Sequence, residues 1–111
     1  MIDITRDEGS ISDGTYKLHL FYPVASNETY RRYWEKAIAE TNAALFRENS
    51  KFTAKDLEQV TDELNRLIVW AKGNLTDTDL LKMTDRLYGL IDVITKSCED
   101  ADAYDCPFEI Y

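Results

Sequence analysis

The sequence predicts an α+β fold, mostly helical, in which an N-terminal β-hairpin packs on a three-helix core. Two observations predict it. Near the N-terminus apolar and polar residues alternate, the period of a half-buried strand. From residue 26 to residue 98 apolar residues recur at three- and four-residue steps, the period of an amphipathic helix. The chain has 111 residues, 44% of them hydrophobic and 31% charged. That length and composition predict one domain over residues 1–111 with a single core, and exclude the fibrous and globally disordered classes.

Residues 1–25 read as the hairpin. Ile2 and Ile4 alternate with polar neighbours, and Asp7-Glu8-Gly9 and Asp13-Gly14 supply turn chemistry. In the returning strand Tyr16, Leu18, Leu20 and Tyr22 point one way, with Lys17, His19 and Phe21 opposite. Pro23 cannot donate to a ladder and ends the run. A lone two-stranded hairpin is unstable in water, so the helices must cover one of its faces.

The first helix is expected over residues 26–49, capped by Ser26 or Asn27, with Asn49-Ser50 as its stop. Tyr30, Tyr33, Trp34, Ala37, Ile38, Thr41 and Leu45 form its apolar face. The second helix, 53–73, opens with a capping box of Thr53 and Asp56, a staple of Phe52 on Leu57, and closes at Gly73. Val60, Leu64, Leu67, Ile68 and Ala71 continue its buried stripe. The third helix, 76–98, repeats this plan with Thr76, Asp79, Leu75 and Leu80, and buries Met83, Leu87, Leu90, Ile91 and Ile94. Gly89 inside it costs about 1 kcal/mol relative to alanine, which points to close approach of a neighbour or to simple tolerance.

These two helices agree at an offset of 23 residues, where Thr53, Asp56, Leu57, Thr61, Asp62, Leu64, Leu67 and Ile68 fall on Thr76, Asp79, Leu80, Thr84, Asp85, Leu87, Leu90 and Ile91. Either common caps and a common period produce the match, or one helix is a duplicate of the other. Their short connection predicts an antiparallel αα-hairpin, completed by the first helix.

The last segment, 99–111, is acidic and aromatic. It carries five acids and no base, whereas the four preceding segments (1–25, 26–51, 52–74 and 75–98) have net charges of −2, +1, −1 and −1. The formal total is −8. Phe108 and Ile110 alternate, so the segment is either an additional edge strand beside the hairpin or a projecting peptide.

Composition and motifs exclude more than they assign. No run approaches the roughly 20 apolar residues of a membrane span. Residues 1–5 predict no secretory signal, and Cys98 and Cys106 make no disulfide framework, so the expected compartment is the cytoplasm. The cysteines lack the spacing and histidine partners of a zinc site. Asp100, Asp102 and their neighbours lack the glycine and terminal glutamate of a calcium loop. His19 is the lone histidine, on the strand face opposite the apolar stripe, with no nucleophile pattern near it, and no glycine-rich phosphate loop occurs. Neither catalytic residues nor a metal or cofactor are expected. Tyr30, Arg31, Arg32, Tyr33 and Trp34 read as core plus a solvated face in preference to a base-stacking patch.

The expectation that remains is a non-catalytic acidic module that binds a partner protein. The charge opposes direct contact with nucleic acid or anionic membrane and favours a protein with a basic surface, such as a nucleic-acid-binding protein or nuclease. In size and charge the chain is similar to inhibitors of phages and mobile elements and to immunity proteins that neutralise nuclease toxins, an analogy that no shared motif carries. The expected contact residues are Tyr104, Asp105, Phe108, Glu109 and Tyr111, with Asp100 and Asp102, because aromatics supply interface energy and acids steer the encounter. A self-associating helical module, a homodimer, is the alternative. A small ligand carrier or enzyme is the third reading, which a pocket with convergent polar groups would revive.

Overall fold

The computed structural model describes residues 1–10, 16–100 and 104–111, with side chains described for 1–6, 20–100 and 104–111. The fold is α+β. Strands β1 (Ile2–Ser10), β2 (Tyr16–Ala25), β3 (Lys51–Phe52) and β4 (Phe108–Ile110) form one antiparallel sheet in the order β2-β1-β4-β3. Helix α1 spans residues 27–41, α2 spans Leu57–Asn74 and α3 spans Asp77–Cys98. The N-terminal strands pack against these helices.

The predicted alternation survives in the hairpin. Ile4 pairs with Tyr22 and Arg6 with Leu20. Ile2, Ile4, Arg6 and Val24 are buried under the helices, Leu20 and Tyr22 pack against that core, and Phe21 lies on the opposite face. Arg6 is the surprise in this row, since the even-numbered alternation carries a guanidinium into the interior.

Of the two expectations for the C-terminal segment, the additional strand beside the hairpin is the one found, but it is not at the edge. β4 lies inside the sheet, with Ile4 opposite Ile110 and Arg6 opposite Phe108 on one side, and Phe52 opposite Phe108 on the other. The outer place belongs to β3, whose Phe52 ring stacks on Phe108 with centroids 4.9 Å apart. Burying two alternating apolar side chains on the helix side is what draws the acidic segment in.

Helix α1 stops at Thr41, eight residues before the expected end at 49. Asn42 takes the left-handed conformation, φ 57°, and the Ala43 N–H donates to the Ile38 carbonyl at 3.1 Å. This is the six-residue bond of a Schellman-type ending, in which asparagine is the usual substitute for glycine. Residues 43–50 then fold back over α2. The N–H groups of Leu45 and Phe46 both donate to Oε1 of the buried Glu63, each at 2.9 Å. Gln59 donates to Oε2 at 3.0 Å. The Glu63 carboxylate thereby does for the loop what a helix cap does for a helix end, satisfying N–H groups that have left the helical ladder. Phe46 is buried beside Trp34, ring centroids 6.3 Å apart.

The capping box before α2 is closed. Thr53 N–H donates to Asp56 Oδ2 at 3.0 Å, and the Thr53 hydroxyl accepts from the first turn, a 3₁₀ turn over Ala54–Asp56. Gly73 lies in the last turn of α2 and not beyond it. The equivalent box before α3 does not form: the Thr76 side chain makes no capping bond, and Asp77 starts the helix at φ 52°. The two helices share their core stripes, but not their starts.

Candidate functional site

The helices cover one face of the sheet. Because Ile4, Ile110 and Tyr22 share a row facing the core, the neighbouring rows face outward. One outward row runs Phe21, Thr5, Glu109, Lys51, and the next runs Pro23, Asp3, Tyr111. Asp3 and Tyr111 exchange both backbone bonds, 3.2 and 2.9 Å, so their side chains stand side by side. Phe21 is 57% exposed and Tyr111 53%. Between them lie the carboxylates of Asp3 and Glu109. The Tyr111 hydroxyl donates to Glu109, and Lys51 Nζ lies 3.3 Å from Glu109 Oε1 at the sheet edge. Asp3 Oδ1 and the Thr5 hydroxyl are sheltered among these side chains and have no hydrogen-bond partner among the described residues. This face therefore presents two half-exposed aromatic rings, Phe21 and Tyr111, beside the carboxylates of Asp3 and Glu109.

The contact residues expected from the sequence separate in space. Glu109 and Tyr111 join this outward face. Tyr104 and Asp105 are exposed on the turn that leads into β4, and Asp100 is exposed just beyond α3. Asp102 lies outside the described residues. Phe108 is the correction: fully buried between Phe52 and Arg6, whose guanidinium sits 4.4 Å from its ring centroid, it is a core residue and offers no surface to a partner. Its alternation with Ile110 is the strand period, one of the two expected alternatives, and the core lies on its side of the sheet. Asp3 and Phe21, which complete the face, were missed because nothing in the sequence sets the β1–β4 register.

Arg6 holds the C-terminal segment in place. Its Nε donates to the Cys106 carbonyl at 3.0 Å, and one terminal nitrogen donates to the Ser97 carbonyl and hydroxyl at 2.6 and 3.0 Å. The other reaches the Tyr104 carbonyl at 3.3 Å. The fork thus places positive charge against the last turn of α3, where the helix dipole favours it, and ties that turn to β1 and the approach to β4.

On α1, Tyr30 and Trp34 are buried as the period predicted. The Tyr30 hydroxyl accepts from the Glu48 N–H at 2.8 Å, and burial holds its phenol above the ordinary value. Arg31 grips Glu48 through two nitrogens at 2.7 and 3.1 Å and also reaches Glu35. Neither cysteine is in a disulfide, and burial pushes the Cys98 thiol up, with Arg6 pulling partly the other way. The His19 side chain lies outside the described ones. Among the described residues no cluster of histidine, cysteine and carboxylate side chains could share a metal ion, and no helix is long and apolar enough to cross a membrane.

No family model matches the chain, and no curated protein and no solved structure matches it either.

Proposed function

We propose that this chain is a non-catalytic acidic module that acts in the cytoplasm by occupying a basic surface of a partner protein, in the manner of an inhibitor or immunity protein of phage or mobile-element type. The observation that carries the reading is the uncovered sheet face, where Phe21 and Tyr111 flank Asp3 and Glu109. Exposed aromatic rings supply contact energy, and the net charge of −8 speeds and orients encounter with a basic partner. A nucleic-acid-binding protein or nuclease has the surface this face complements. Direct binding to nucleic acid would set like charges against each other.

Affinity capture from a nuclease-treated lysate of the native host tests the reading. The expected result is one stoichiometric basic protein whose retention weakens as salt rises. Recovery of the chain alone would count against it and favour self-association. A specific observation supports that second reading: Val69, Leu81 and Tyr88 are exposed apolar residues on the α2–α3 hairpin. Light scattering separates the two, since a monomer at tens of micromolar removes the dimer.

A further inference from the structure

We propose that the cleft between α1 and α3 binds a phosphate-bearing small molecule with a planar body, of the nucleoside monophosphate class. This inference does not rest on the protein-binding reading. The cleft encloses about 480 Å³, floored by Val24, Trp34 and Met83 and walled by α1 and α3. That volume is in the range of small-ligand pockets, roughly 300–1,000 Å³, for which gaps between helices are a usual place.

The α1 wall is built on an unusual backbone. Residues Tyr30–Trp34 form a π-helical segment in which the Glu35 N–H donates to the Tyr30 carbonyl five residues back. Such insertions into α-helices are rare and concentrate at functional sites. Here the segment supplies Arg32, Tyr33 and Trp34 to the cleft.

Three cations converge on the same space: Arg32 from α1, and Lys82 and Arg86 from α3. Among the described residues none of the three is in an ion pair. Lys82 and Arg86 are one turn apart, where like charges repel. Arg86 is steadied by the Pro23 carbonyl at 3.2 Å and lies 5.9 Å from the Tyr22 ring centroid. The same lining carries Glu28, Asp79 and Asp85, so a ligand here would set its phosphate against Arg32, Lys82 and Arg86 and its hydrogen-bond donors against the carboxylates.

The remaining lining suits the ligand's body. Arg32 lies 5.0 Å from the Tyr33 ring centroid, forming a cation–aromatic platform on which a planar ring can stack. Asp79 also lines the cleft. Glu28 and Asp85 at the rim accept hydrogen bonds from ring N–H or sugar O–H donors, groups that a bare anion lacks.

Calorimetric titration of the full chain with adenosine monophosphate, adenosine and inorganic phosphate, at constant ionic strength, tests this. Lys82→Gln and Arg32→Gln serve as variants, since both side chains are exposed, and circular dichroism checks their folding. Adenosine monophosphate should saturate one site, either part alone should bind at least about tenfold more weakly, and each variant should lose about tenfold in affinity. In a proton–nitrogen spectrum the Trp34 indole should shift while Trp70 stays. Absence of saturable binding, equal binding of adenosine or phosphate alone, unchanged affinity in both variants, or an unmoved Trp34 would each overturn the proposal.

Discussion

Two side chains that the core could not have been expected to hold, Arg6 and Glu63, close gaps that apolar residues cannot. Arg6 gathers carbonyls from Ser97, Tyr104 and Cys106, and Glu63 gathers N–H groups from Leu45 and Phe46. Replacing Arg6 by Met should cost about 2–4 kcal/mol, since buried carbonyls lose their donor. Arg6→Lys should recover little, because an ammonium cannot reproduce the fork. Urea midpoints of the two variants decide this, and near wild-type stability of Arg6→Lys would show that charge alone suffices. At Gly89 a Cβ would lie 2.1 Å from the Tyr22 hydroxyl oxygen. The glycine is therefore a close-approach site, one of the two explanations its mid-helix position allowed. Gly89→Ala should destabilise the fold by about 1 kcal/mol despite alanine's better helix propensity. Trimming Tyr22 to Leu should narrow that difference in a double-mutant cycle, and a more stable Gly89→Ala protein would contradict the contact.

Between the elements, the period of apolar residues was legible and the ends were less so. The stripe of α2 is buried where the three- and four-residue spacing put it, and so is that of α3 except for Ile91, which is only partly buried. The end of α1 was misplaced because Leu45 extends the apolar spacing past Asn42, while the stop is a backbone event at one residue able to take positive φ. Identical cap residues also proved to be unequal. Thr53→Ala should cost about 1 kcal/mol, the usual worth of a closed cap. Thr76→Ala should cost only a few tenths, within the ordinary range for a surface change. Thermal melts of the two variants check the contrast, and equal losses would mean that Thr76 caps α3 in solution.

Across the whole molecule, the class of fold was readable from two periods, but the β4 placement was not, because pairing between residues 2–6 and 108–111 leaves no local signature. That placement changes how the C-terminal segment can be tested. Deleting 99–111 would remove an inner strand and two core side chains, so loss of binding by such a truncation would report unfolding. Titration reaches the global scale too. Burial raises the folded-state values of Tyr30 and Cys98 above their ordinary 10.0 and 9.0. The unfolded chain therefore loses these protons first, so their contribution is complete below about pH 9 and declines as pH rises through that range and beyond. Urea midpoints from about pH 8 to about pH 11 should fall, and Tyr30→Phe should flatten the upper part of the decline. An unchanged slope in that variant would exclude Tyr30 as a source.

The central claim is that the uncovered sheet face binds a partner protein. Its most direct test is quantitative capture from host lysate by the wild-type chain, by a Phe21→Ser/Tyr111→Ser double variant and by Tyr104→Ser, which alters an exposed ring away from that face. The account predicts that the double variant, folded by circular dichroism, loses the retained protein while Tyr104→Ser keeps it. Equal retention by the double variant and the wild type would contradict it.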